Sequence, residues 1–190
     1  RAVNREVGTE GPKIVGVDVS REGDDETVIA CRKGMKTTDL ITWGHQDTIF
    51  SASRVKNFCE KSKVDILRVD SIGVGGPVVD DLRAWGVTAE QINVGLPAID
   101  KEHFLNIRAE GYQHLADLFT NDEISIPEDE DLKAQLCDIR YEYNDKGIKK
   151  IESKKDSKSR GSKSPDKADA LMMAFLPGYN QAQSQPVDNN

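Results

Sequence analysis

The sequence predicts an α/β fold built on a mixed β-sheet, with antiparallel strands first and parallel strands after them. Runs of β-branched residues dominate the first third of the chain, and helical and strand-like segments alternate beyond it. Turns rich in Gly and Asp separate these runs. At 190 residues the chain is long enough for one domain with its own core.

The opening strand is predicted over residues 13–19, where KIVGVDV is mostly β-branched and apolar. A turn at 20–25 leads to the two other strands of an antiparallel meander. They are predicted over 26–34 and 39–46. Apolar spacing then predicts a helix over 47–63, a strand over 64–73, a helix over 75–86, a strand over 87–95 and a helix over 100–120.

The last third begins with an acidic connector over 121–131. A helix over 131–139, a β-hairpin within 139–153 and a final helix over 165–176 follow it. Ser164 is the predicted N-cap of the final helix, with Pro165 at its first position. We expect a linker over 1–12, one domain over 13–176 and a flexible polar tail over 177–190.

Composition excludes several classes of protein. No run approaches the roughly 20 apolar residues that span a membrane, and no signal peptide opens the chain. The three cysteines lie far apart without a CxxC pair, which argues against a disulfide framework or a zinc knuckle and favours a reducing compartment. We expect all three cysteines to be small buried residues.

The net charge of −7 conceals a strongly basic segment. Residues 149–163, here called the basic strip, hold seven Lys or Arg and two acidic residues, so the rest of the chain carries −12. Because phosphate binding depends on local cation density, the basic strip predicts contact with nucleic acid. A solvated flexible loop is the alternative interpretation.

Four aspartates are candidates for a metal site. Asp18 lies in the first strand, Asp70 in the strand over 64–73, and Asp166 and Asp169 on one face of the last helix. Carboxylates that meet repel one another unless a cation lies among them, and all-oxygen ligation suits Mg²⁺ or Mn²⁺. Two such ions, roughly 3.5–4 Å apart, serve in-line phosphoryl transfer. Alternatively, these aspartates cap turns or meet the helix dipole.

Four segments resemble the nuclease domain of large terminase subunits, the DNA-packaging enzymes of tailed bacteriophages. They are VGVDVSREGDDETVIACRKG, ILRVDSIGVGGPVVDDL, NIRAEGYQHLADLF and IESKKDSKSRGSKSPDKADALMMAF. The resemblance implies an RNase H-like mixed sheet flanked by helices, with a β-hairpin near the C-terminal part. It also implies a metal-dependent endonuclease that cuts concatemeric duplex DNA when packaging starts and ends.

By this resemblance Asp18, Asp70 and Asp169 are the catalytic metal ligands, with two Mg²⁺ or Mn²⁺ ions expected when DNA is bound. Asp166 lies where some members of the family have a His or another acid near the metals. The resemblance also implies DNA-binding residues in the basic strip, which would contact phosphates without reading bases: Lys154, Lys155, Lys158, Arg160 and Lys163.

The sequence lacks the GxxxxGK[ST] loop of the family's ATPase motor. We therefore expect a nuclease domain separated from its N-terminal ATPase domain. Its expected partners are duplex DNA and, in the full motor, that ATPase domain, the small terminase subunit and the portal, with no membrane. The expected location is the cytoplasm of the infected bacterial host.

The sequence alone leaves three alternative functions to consider. Sugar kinases and actin-like ATPases also open with a Gly-x-Asp strand, but they need a second Gly-rich phosphate-binding segment that the sequence lacks. A Holliday-junction resolvase shares the metal chemistry. A non-catalytic docking module of the packaging motor would bind a partner through the polar tail and would not cut DNA.

Overall fold

The computed structural model describes residues 1–20 and 26–178, without the side chains of Lys154, Lys155 and Lys158. The predicted turn after Ser20 and all but the start of the predicted tail therefore lie outside the described residues. The elements are β1 (Lys13–Asp18), β2 (Thr27–Lys33), β3 (Lys36–Trp43), α1 (Thr48–Ser62), β4 (Ile66–Asp70), α2 (Gly75–Ala84), β5 (Glu90–Ile92), α3 (Ile107–Thr120), α4 (Glu130–Asp138), β6 (Tyr141–Tyr143), β7 (Lys149–Ile151), α5 (Lys154–Ser159) and α6 (Asp166–Phe175).

A five-stranded sheet in the order β3-β2-β1-β4-β5 forms the centre of the fold. β1 pairs antiparallel with β2 and parallel with β4, so the antiparallel opening meets the parallel continuation at β1. β6 and β7 form a separate antiparallel hairpin. The mixed sheet, its flanking helices and the hairpin confirm the predicted fold class.

Helices cover both faces of the sheet. Val15 and Val17 of β1 belong to an apolar cluster with α1 and α2, whereas Val28 and Ala30 of β2 belong to a second cluster with α3 and α6. Because side chains alternate along a strand, Gly16 and Asp18 share the face of β1 that is opposite Val15 and Val17. That face packs against α6.

Gly16 allows α6 to lie directly on β1. A Cβ atom at Gly16 would lie 2.2 Å from the Ala170 carbonyl oxygen and 2.6 Å from the Ala174 nitrogen, and both are backbone atoms that cannot rotate away. The missing side chain at Gly16 therefore sets the distance between α6 and the strand that carries Asp18.

The substitution Gly16→Ala is expected to lower the free energy of unfolding by about 3 kcal/mol, because the added methyl forces α6 off the sheet. Urea denaturation measures this loss. Gly76→Ala is the matched control, since a Cβ at Gly76 meets nothing nearer than the Ser71 carbonyl oxygen at 3.8 Å. Equal stabilities of the two variants would contradict the expected clash.

The long helix predicted over 100–120 begins later, at Ile107. Asn106 has extended backbone angles and its side chain accepts a hydrogen bond from the Ala109 N–H, which makes it the N-cap. The segment before it turns around the Asp100 carboxylate. The apolar residues before Asn106 therefore follow the spacing of a helix, although they lie outside α3.

The start of the last helix also differs from the prediction. Pro165 occupies the N-cap position, and the Ser164 hydroxyl donates to the Asp166 carboxylate instead of capping the helix. In addition, the basic strip contains the short helix α5, which the sequence did not predict. Short-range side-chain hydrogen bonds accompany both differences, Ser164 with Asp166 before α6 and Ser153 with Asp156 at the start of α5.

The predicted linker over 1–12 contacts the domain through its backbone. The Asn4 N–H donates to the Ile126 carbonyl over 3.0 Å, and the Gly8 carbonyl accepts from the Met35 N–H over 2.9 Å. None of the helices in the described ranges has the length and apolar character needed to cross a membrane.

The three cysteines have different surroundings. Cys31 is buried and Cys59 is half-buried, where burial raises the pKa of the Cys59 thiol to about 12. Cys137 is exposed on α4, so the expectation that it is buried was wrong. Leu132 is the one buried residue of α4, so most of this short helix, including Cys137, lies at the surface.

Candidate metal centre

Asp18 and Asp70 end the two parallel strands at the centre of the sheet. The register pairs Val17 with Val69, so one further step brings Asp18 level with Asp70 at the same edge. Carboxyl ends of adjacent parallel strands are a common position for binding sites in α/β folds. Asp18 is only 6% exposed, whereas Asp70 is half-buried.

Both aspartates point towards the layer that contains α6. Asp18 shares its strand face with Gly16, which contacts α6. Asp70 shares its face with Arg68, whose guanidinium donates to the Met173 and Leu176 carbonyls at the end of α6. The strand alternation therefore directs the two carboxylates to the same side of the sheet.

Local structure holds Asp70 in place. Its Oδ1 accepts a hydrogen bond from the Ile72 N–H over 3.0 Å, which fixes the turn that follows β4. Helix α2 begins directly against this turn, because a Cβ at Gly75 would lie 1.6 Å from the Asp70 carbonyl oxygen. Gly75, the second glycine of the segment SIGVGGP, therefore allows α2 to pack closely against the turn after Asp70.

Asp169 projects from the first turn of α6 and is 5% exposed. Arg108 donates from Nε to Oδ1 over 3.1 Å and from Nη2 to Oδ2 over 3.3 Å. The Tyr112 hydroxyl donates to Oδ1 over 2.7 Å. One turn of α3 therefore orients the Asp169 carboxylate by two side chains on the same helix face.

The pKa values of Tyr112 and Arg108 depend on their burial and on the charges beside them. Burial first, and then the Asp169 charge, raise the pKa of the Tyr112 hydroxyl well above its ordinary value. The Asp18 charge raises the pKa of Tyr112 as well, with a smaller effect. Burial opposes the charge of Arg108, yet the Asp169 carboxylate raises the pKa of that guanidinium. Tyr112 therefore stays neutral and Arg108 stays charged.

Asp166 lies one turn before Asp169 and is 6% exposed. Its Oδ1 accepts from the Ser164 hydroxyl, and its Oδ2 accepts from the Glu26 N–H over 2.9 Å. Asp166 therefore connects the start of α6 to the start of β2 structurally, in addition to being a candidate metal ligand.

Two arginines from the sheet hold the other end of α6. Arg32 donates to the Ala174 carbonyl over 2.6 Å, and Arg68 donates to the Leu176 carbonyl over 2.8 Å. Positive charges at a helix C-terminus also interact favourably with the helix dipole. Burial, together with the charge of Arg68, lowers the pKa of Arg32 to about 10, so Arg32 remains charged at neutral pH.

The start of α6 is tied to α4 by an ion pair. Lys167 Nζ lies 2.9 Å from both carboxylate oxygens of Asp129, which also caps α4 by accepting from the Leu132 N–H. Burial opposes ionisation of Asp129, but the Leu132 and Lys167 hydrogen bonds lower its pKa overall. Because the pKa is lower in the folded state, ionised Asp129 stabilises the fold.

The substitution Asp129→Asn is expected to cost about 1 kcal/mol of stability at neutral pH, since Asn still caps α4 but loses the charge opposite Lys167. The stability that ionised Asp129 provides is present above its unfolded pKa of about 3.9 and is lost as the pH falls below that value. Urea denaturation across this pH range should therefore show the two proteins converging in acid. A gap that is constant with pH would contradict this assignment.

The four carboxylates suit a hard divalent cation, because they offer only oxygen donors from the ends of two strands and the first turn of one helix. In the described ranges, with their gap at 21–25, no three His, Cys, Asp or Glu side chains form a ready metal-binding group. Asp169 instead faces Arg108 and Tyr112. The structure thus places the donors around one region without showing a metal-ligating arrangement.

The basic strip contains cations with different surroundings. Arg160 is held by Glu152, at 2.9 Å from Nε, and by Asp138, at 3.0 Å from Nη1. Lys163 is exposed and lines a groove of about 930 Å³ that also reaches Asp166. The side chains of Lys154, Lys155 and Lys158 lie outside the described part. Among the predicted DNA contacts whose side chains are described, Lys163 therefore shares a groove with one candidate carboxylate, Asp166.

The sequence reasoning did not identify Arg108 and Tyr112. They lie four residues apart in the segment NIRAEGYQHLADLF, so they share a helix face, and that spacing was the available signal. An arginine and a tyrosine on one face are common on exposed helices. Only the packing of α3 against α6 shows that both reach Asp169.

No protein-family profile and no curated protein matches the sequence, but solved structures match the fold. The nuclease domain of the large terminase subunit gp2 of bacterial virus Sf6 has a TM-score of 0.74 at 24% identity, over 88% of this chain and 89% of that one. The large terminase nuclease from thermophilic phage G20c with bound magnesium has a TM-score of 0.69 at 17% identity, over 92% and 86% of the two chains.

The nuclease domain of the Thermus phage P74-26 large terminase has a TM-score of 0.66 at 15% identity, over 91% of this chain and 83% of that one. Each of these three terminase nuclease structures covers 88% or more of this chain. The chain has the RNase H-like fold of the nuclease domains of phage large terminase subunits, as the sequence predicted.

Proposed function

We propose that this chain is the metal-dependent endonuclease domain of a viral DNA-packaging terminase large subunit. It would hydrolyse phosphodiester bonds of concatemeric duplex DNA when packaging starts and ends. The observation that carries this proposal is the level position of Asp18 and Asp70 at one edge of the sheet, beside the α6 layer with Asp169, in a fold shared with terminase nucleases.

Asp18, Asp70 and Asp169 would hold Mg²⁺ or Mn²⁺, with two ions expected when DNA is bound, and Asp166 is a further candidate. When bound, such ions lower the pKa of the attacking water and stabilise the leaving 3′ oxygen. Arg108 and Tyr112 keep Asp169 oriented and hydrogen-bonded on its α3 side. Their donors also stabilise the ionised form of Asp169, the form that binds a cation.

DNA would reach the site along the groove that contains Lys163. We propose that Lys163, with Lys154, Lys155 and Lys158, contacts phosphates, and that Arg160 exchanges Glu152 or Asp138 for a phosphate. These contacts read no bases, so we expect little sequence preference. Cutting by the isolated chain should be weak and should fall steeply with salt, because the rest of the chain is acidic.

In the full motor the proposed partners are the ATPase domain, the small terminase subunit and the portal, in the cytoplasm of the infected host. The chain itself can be tested on supercoiled plasmid at low salt with Mg²⁺, with Mn²⁺ or with EDTA. We expect nicking and linearisation that require the metal. A chain that binds DNA without cutting it under any metal would contradict the nuclease and favour a docking module.

A further inference from the structure

The hairpin β6–β7 presents two exposed tyrosines that its own fold does not bury. Tyr141 and Tyr143 are 59% and 60% exposed. They lie two residues apart on β6, so their side chains share one face of the hairpin. Their ring centroids are 5.8 Å apart with the planes nearly perpendicular, at 81°. Together they form an aromatic surface open to solvent.

A lysine from the opposite strand lies against this aromatic surface. Lys149 pairs with Tyr143 in the hairpin register, and its Nζ is 4.4 Å from the centroid of Tyr141 and 6.0 Å from that of Tyr143. Its ammonium group also donates to the Gln113 Oε1 of α3 over 2.6 Å, which fixes its position. A cation therefore borders both rings.

The charge of the hairpin is complementary to a polyanion. Residues 140–151 carry four basic residues and two acidic residues. Of the two acids, Glu142 is paired with Lys150 across the hairpin. The aromatic surface thus lies on a basic element of a chain whose net charge is −7.

Tyr141 also lines an apolar cavity of about 230 Å³ between the hairpin and the helices α3 and α4. Tyr112 lines the same cavity, and its hydroxyl donates to Asp169. The cavity, which Tyr141 also lines, therefore lies next to the candidate metal centre, because Tyr112 borders both of them. Their aromatic and apolar lining suits a flat ring rather than an ion.

We propose that the Tyr141–Tyr143 face binds an unpaired stretch of DNA, with bases stacked on the tyrosine rings and a phosphate beside Lys149. Stacking of bases on aromatic side chains is tolerant of sequence and is the usual means of holding single strands. In a duplex each base is covered by its neighbours, so only unpaired bases offer a ring face to the tyrosines. This surface would add single-strand binding to the proposed nuclease. The inference rests on the proposed function only in taking DNA, and not another polymer, as the ligand.

Binding can be measured apart from cutting, in EDTA, by fluorescence anisotropy of a labelled oligothymidine of about 12 nucleotides. The double variant Tyr141→Ala/Tyr143→Ala should bind at least about fivefold more weakly, the lower limit for the loss of one stacked base. Tyr141→Phe/Tyr143→Phe is the matched control and should bind like the unmodified protein, because phenylalanine still stacks. Lys149→Met should reduce the dependence of binding on salt.

A duplex of the same length should respond little to the tyrosine substitutions. Unchanged oligothymidine binding by the alanine variant would overturn the proposal and assign the tyrosines to another partner, such as a protein. An equal loss for single strand and duplex would also overturn it, because stacking cannot explain that result. A failure of the nuclease proposal would appear separately, as no metal-dependent cutting by the unmodified protein.

Discussion

The substitution Asp70→Asn is expected to lower the rate of metal-dependent DNA cleavage by at least about 100-fold, because changes merely beside a metal ligand already cost about 10–100-fold. Asparagine keeps the shape of the side chain, and its amide oxygen can still accept the hydrogen bond from the Ile72 N–H. The turn after β4 should therefore survive while the negative charge is lost. Plasmid nicking at a fixed Mn²⁺ concentration measures the effect.

Asp80→Asn is the matched control for this experiment. Asp80 allows the same chemical change on the exposed face of α2, where it forms an ion pair with the equally exposed Arg83. Cleavage by Asp80→Asn should match that of the unmodified protein. If Asp70→Asn cut DNA as fast as the control, Asp70 could not be a metal ligand of the cutting site.

The substitution Arg108→Met is expected to lower the free energy of unfolding by about 3–5 kcal/mol, the usual cost of removing one member of a buried ion pair. Arg108 and Asp169 are both largely buried, so the Asp169 charge would lose its opposing cation in a poorly hydrated place. Methionine retains much of the arginine's apolar bulk, so the loss reports mainly on charge. Urea denaturation near neutral pH measures it.

The double variant Arg108→Met/Asp169→Asn separates the charge effect from packing. Removing both charges should recover part of the stability lost in Arg108→Met, because no uncompensated carboxylate remains. If the double variant were less stable than Arg108→Met by the full cost of Asp169→Asn, the two residues would act independently. That outcome would contradict the role of Arg108 as the partner that orients Asp169.

The strands of the sheet and its antiparallel opening could be predicted, because these strands coincide with local apolar runs. Antiparallel neighbours follow directly along the chain, whereas the parallel strand β4 returns to β1 through α1. The start of α3 at Ile107 was missed because the residues before Asn106 continue an apolar pattern. Their Asx turn at Asp100 depends on side-chain hydrogen bonds that spacing does not reveal.

The positions of Asp18 and Asp70 on strands could likewise be predicted, although the pairing of those two strands could not. The tertiary partners of charged residues could not. Arg160 lies in a basic run and was predicted to contact phosphate, yet Asp138, which is 22 positions earlier, and Glu152 hold its guanidinium. The pairing of Arg108 with Asp169 spans 61 positions and is set by helix packing alone.

The most direct test of the proposed metal centre is calorimetric titration of Mn²⁺ into this protein and into Asp18→Asn, without DNA. Asp18 is 6% exposed and comes level with Asp70 at one edge of the sheet, so it is the ligand around which the proposed centre is built. We predict that the unmodified protein binds Mn²⁺ and that Asp18→Asn loses this binding while remaining folded. Equal Mn²⁺ affinity for the two proteins would contradict a metal centre built on Asp18.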